Sequence, residues 1–108
     1  MSGEDSLLQS LLAAADTAQQ AYNAAQTANP GADLSQLYLS EINAQTLYFD
    51  ALNRSFNGDA AATDAQERLD AITESIKSDL TRITNVSTWI TLVGGLVQAA
   101  TSVAGFFV

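Results

Sequence analysis

From Ile83 to Val108 the chain carries no charged residue, whereas all 12 acidic and 4 basic side chains lie before that stretch. A segment so long and apolar must be hidden in a bilayer, in a partner or in copies of itself. Soluble monomers rarely expose contiguous apolar patches beyond about 300–600 Å². The rest of the chain therefore has to be read for its capacity to provide that cover.

The 108 residues suffice for one domain. It divides by charge into an acidic helical hairpin over 1–57, a charged half-helix over 58–82 and the uncharged tail over 83–108. Formal net charge is −8, and residues 1–53 hold six acids and no Lys or Arg. Such a body lacks the cationic footprint that neutralises phosphates, so nucleic acid is not an expected partner. The same deficit argues against electrostatic docking on anionic lipid. The N-terminal MSGEDSLLQSLLAAADT has acids where a signal peptide needs basic residues, and no Sec signal is expected. Export, if it occurs, would use another route. The composition favours an extracellular or cell-surface assembly, with the membrane as the alternative location.

Periodicity predicts an all-α fold: a helical hairpin packed on a long C-terminal third helix. Asn29-Pro30-Gly31 and Asn57-Gly58-Asp59 are the two turn signals, because Pro ends a preceding helix and Gly and Asn tolerate positive φ. Helix one is expected over about Glu4–Ala28, with Leu8, Ala15 and Tyr22 in one row and Leu11, Ala18 and Ala25 in another. Helix two is expected over about Asp33–Phe56, with Asp33 and Gln36 as a capping box. Its core stripe would be Tyr38, Ile42, Gln45, Phe49, Leu52 and Phe56, widened by Leu34, Leu37 and Tyr48. Helix three is expected to start at Asp59 or Thr63, with Thr63 and Gln66 as a second capping box, and to run near to the C-terminus. Its heptad rows are Leu69, Ile76, Ile83, Ile90, Val97, Ala104 and Ile72, Asp79, Val86, Val93, Ala100, Phe107. Such spacing implies supercoiled packing against neighbours. At 1.5 Å per residue this helix would reach ~70 Å, twice what the hairpin covers. A break at Gly94-Gly95 is the one place where the tail would fold back.

Trp89 to Val108 matches the roughly 20 residues that a hydrocarbon core needs, and Trp89 would suit its interface. Thr91, Gly95, Ala99 and Ser102 line one side with small residues, as in close-packed membrane helices. Against a bilayer stand the Ser and Thr residues of the tail, Gln98 near its middle and the continuous heptad.

Without His or Cys, the usual nucleophile–base pairs and zinc sites are unavailable. Asp64, Glu67, Asp70 and Glu74 share a helix face, which reads first as a solvated face with Arg68 and Lys77 as partners. Tyr22, Tyr38, Tyr48 and Phe49 read as hairpin core. Asn53-Arg54-Ser55 and Asn85-Val86-Ser87 match a glycosylation sequon that short chance matches also produce. No catalytic residue, cofactor or metal is expected, and the chain is not expected to be an enzyme.

The expected function is that of a helical subunit that self-assembles into a homo-oligomer, such as a filament, tube or secretion-apparatus component. The uncharged helix would lie in the assembly interior. Its seam would comprise Ile83, Val86, Ile90, Val93, Gly95, Val97, Ala100, Ala104 and Phe107, and Asp79 with Arg82 would be a register-setting pair. The alternative is a membrane-attached or membrane-inserting protein, tail-anchored or pore-forming, that meets the lipid bilayer through 89–108.

Overall fold

The computed structural model describes residues 3–58 and 60–108. The all-α expectation holds, but with four helices rather than three: α1 (Gly3–Ala28), α2 (Ser35–Leu52), α3 (Ala60–Ser78) and α4 (Val86–Ala104). The expected long third helix is two helices, folded back between Asp79 and Asn85. The longest dimension is accordingly 43 Å, not ~70 Å.

This reversal needs neither Gly nor Pro. Thr81, Ile83 and Thr84 are β-branched and weak helix formers. Asn85 then caps α4 from an extended backbone (φ −84°, ψ 126°). Its Oδ1 accepts the Ser87 amide at 2.9 Å and the Ser87 hydroxyl at 2.7 Å. The Asn29 side chain, past the end of α1, donates to the Thr84 carbonyl at 2.6 Å and ties this turn to the bundle. Gly94 and Gly95, the alternative place for the tail to fold back, lie inside α4.

α1 and α4 each pack on the other three helices, and no Cα of α2 lies within 8 Å of one of α3. The cross-section is a rhombus, with α1 and α4 on its short diagonal and α2 and α3 at its far corners. Close approach comes from alanine: Ala14, Ala18, Ala21 and Ala25 of α1 and Ala44 and Ala51 of α2 are buried. From α4 come Trp89, Val93, Leu96, Ala100 and Val103, at alternating steps of four and three. Leu69, Thr73 and Ile76 of α3 complete the core.

The turn at Gly31 has φ +83°, the left-handed region that glycine enters without a Cβ penalty. α2 starts two residues later than expected. Asp33 still anchors it, with Oδ1 accepting both the Ser35 hydroxyl and, at 3.0 Å, the Ser35 amide. These bonds, the hydroxyl first, hold the Asp33 carboxyl below its ordinary pKa. α3 begins at Ala60, ahead of Thr63. Gln66 does not close a capping box; it crosses to α1 and donates to Ser6 and Ser10. Asp59 as an N-cap lies outside the described residues.

At the other end, the segment after α4 clasps the α2–α3 loop. Ser55 and Val108 exchange two backbone hydrogen bonds, at 2.9 and 2.7 Å, and the Asn57 amide donates to the Phe106 carbonyl at 2.7 Å. The Phe56 and Phe107 rings meet at 5.4 Å between centroids. Phe107 is fully buried by this clasp.

Candidate functional site

The helix that looked most in need of an outside cover is covered from within. Every exposed residue of α4 is polar: Ser87, Thr88, Thr91, Gln98, Thr101 and Ser102. The Thr and Ser residues that made this segment a poor bilayer span are its solvent face. Four of them, Thr91, Thr101, Ser102 and Ser87, engage locally, the first three donating to carbonyls four residues back. Of the expected seam, Val93, Ala100 and Phe107 are buried inside the bundle. Ile83, Val86, Ile90, Gly95, Val97 and Ala104 are half-buried along its flanks. Trp89, expected at a membrane interface, is fully enclosed.

The uncovered apolar surface lies on α2 instead. Tyr38, Leu39, Ile42, Phe49 and Leu52 are exposed, Phe49 and Leu39 at 58% each, and Leu12 of α1 adds to them. This corrects the expected core stripe of helix two, four of whose members (Tyr38, Ile42, Phe49 and Leu52) form this ridge. The core takes the neighbouring row, Leu37, Ala44 and Ala51. Small side chains on that row let α2 lie close to the alanine-rich α1, and the bulky row is left outside. The ridge sits on the α1 flank of α2, where Tyr38 meets Tyr22 at 5.9 Å between rings. Leu8, Leu12, Tyr48 and Leu52 border a shallow depression there, with Asp5 at its edge.

A second surface feature occupies the α4 flank of α3. Ala65, Ile72, Gly95 and Ala99 line an open groove of about 260 Å³ beside Arg68, the one charged residue of its lining. A Cβ at Gly94 or Gly95 would meet nothing within 4 Å. Small residues at 95 and 99 thus leave a channel on the surface. The sequence had marked Gly95 and Ala99 as small positions, but the α3 side of the groove was hidden until the chain was seen to reverse at 79–85.

Asp79 and Arg82 do pair, at 3.9 Å, but in the α3–α4 turn and with the Arg82 side chain largely exposed. Such a pair contributes about 0–1 kcal/mol. Asp64, Glu67, Asp70 and Glu74 all face solvent on α3, with Lys77 3.7 Å from Glu74. Among the described residues no three His, Cys, Asp or Glu side chains converge as a metal site. The buried polar atoms without a partner among the described residues are Thr17 Oγ1 and Trp89 Nε1, both in the core.

No known protein family, curated protein or solved structure matches the chain.

Proposed function

We propose that this chain is a non-enzymatic helical subunit that assembles with copies of itself, and that its contact surface is centred on the exposed ridge of α2. The observation that carries this reading is the exposure of Tyr38, Leu39, Ile42, Phe49 and Leu52 on one helix. Their exposed parts cost solubility without adding to the core. Taking about 150–250 Å² for a large aromatic and somewhat less for Leu or Ile, the ridge with Leu12 shows on the order of 500 Å² of apolar surface. One side of a standard interface buries about 800 Å², a little over half of it apolar. The ridge is therefore the right size for one half of a protein contact.

A membrane role is the second reading, favoured by the length and apolar character of Val86–Ala104, the one described helix able to cross a bilayer by those criteria. It would require α4 to leave α1, α2 and α3, to break the Phe56–Phe107 clasp and to turn six polar residues toward lipid.

Light scattering after size exclusion, with negative-stain microscopy, separates the two. Self-assembly gives a mass that rises with concentration and ordered particles without detergent. A mass fixed at 11.4 kDa up to high concentration, together with retention on vesicles through an alkaline wash, would replace this reading with the membrane one.

A further inference from the structure

We infer that the ridge of α2 docks in the α3/α4 groove of the next copy, so that the chain assembles head to tail into an open filament. This rests on the self-assembly reading above and names the partner surface within it.

Placement supports it first. α2 and α3 occupy opposite corners of the rhombus, with α1 and α4 between them. The ridge lies on the α1 flank of α2 and the groove on the α4 flank of α3, so the two features are on opposite sides of one molecule. A knob and a hole on opposite sides cannot satisfy each other within one copy. Repeated between copies, they form a heterologous contact, which builds a fibre when the rotation from copy to copy does not close a ring.

Shape and charge agree. Empty cavities of about 150 Å³ accept a benzene ring, so a groove of about 260 Å³ has room for the Phe49 side chain. Gly95 and Ala99 are in its lining, and a Cβ added at Gly95 would meet no other atom within 4 Å. Residues 1–53, which carry the ridge, hold six acids and no base, whereas the groove has Arg68 and no acid in its lining. Arg68 makes no ion pair among the described residues. Two ridges face to face would instead set two copies of the base-free segment 1–53 against each other.

Complementation between two defective copies tests the inference. Phe49→Glu removes the knob, and Gly95→Trp fills the hole. Both positions face open space, so circular dichroism should stay that of the wild type. Arg68→Glu, on the exposed face of α3, is a second hole variant that adds no bulk. Each variant alone should need more than a tenfold higher concentration to assemble. An equimolar mixture of Phe49→Glu with either hole variant should form a 1:1 heterodimer and stop, because one knob and one hole remain between them. Wild-type assembly that persists in both hole variants would overturn the groove as the partner. Variants that fail singly and are not rescued by mixing would overturn head-to-tail docking of the ridge in the groove. A wild-type chain that never assembles would remove the self-assembly reading itself.

Discussion

At the scale of single residues, the core carries two costs that substitutions can expose. Thr17 is fully buried and its hydroxyl has no partner among the described residues. A hydroxyl desolvated in this way costs about 1–3 kcal/mol. Thr17→Val keeps the shape and should raise stability by about 1 kcal/mol in urea titrations; a loss instead would reveal that the hydroxyl has a partner. Trp89 has the same defect at its Nε1 but fills a large volume. Trp89→Phe should therefore be far milder than Trp89→Ala, for which a loss of about 3–5 kcal/mol is expected. Asp33 supplies a pH signature. Its folded-state pKa is lowered, so its contribution is present above the unfolded value and is lost as pH falls through the folded one. The stability gap between wild type and Asp33→Asn should be open at pH 7 and should narrow as the solution is acidified below about pH 4. A gap that stays constant would mean that the Ser35 bonds do not distinguish the carboxylate from the amide.

At the scale of helices, the glycines of α4 and the cap that begins it pull in opposite directions. Gly94 and Gly95 sit mid-helix with open space beyond each Cα. Gly94→Ala should stabilise the fold by about 0.5–1 kcal/mol, since alanine restricts the unfolded chain and adds no clash. Asn85→Ala should cost about 0.5–2 kcal/mol through loss of the cap. Both changes can be read from thermal unfolding. The same helices show what the sequence could disclose. α1 and its turn were legible because Pro30 fixes φ and Gly31 admits the left-handed backbone of the turn. The reversal at 79–85 was not, because it depends on an asparagine cap and on β-branched residues, each a weak preference that only tertiary packing makes decisive. Two neighbouring glycines looked like the stronger break, yet their helical cost of about 1 kcal/mol each is smaller than what α4 gains by packing on three neighbours. On α2 the sequence offered two rows of heptad spacing, bulky and small. Which one faces inward is decided by the alanines of α1, a fact about the partner helix that the α2 sequence does not contain. The ridge was therefore found as a stripe but placed on the wrong side, and half of the groove was not seen.

At the scale of the whole molecule, charge and shape set how copies meet. A net charge of −8 on an 11.4 kDa body makes approach of a second copy unfavourable at long range. The Debye length falls from about 30 Å at 0.01 M salt to about 8 Å at 0.15 M, so this repulsion is removed well before the apolar contact weakens. Assembly followed by light scattering should thus strengthen between those two salt concentrations. Weakening over that range would mean that attraction between opposite charges dominates the contact. The rhombic cross-section has a separate consequence for how the fold comes apart. Because α2 and α3 are not packed on each other, each can detach from the α1–α4 pair while the other stays in place. Perturbations on α2 and on α3 should therefore be energetically additive, with a coupling near zero in a double-mutant cycle. Amide hydrogen exchange should resolve two outer units that open independently around a slowly exchanging centre.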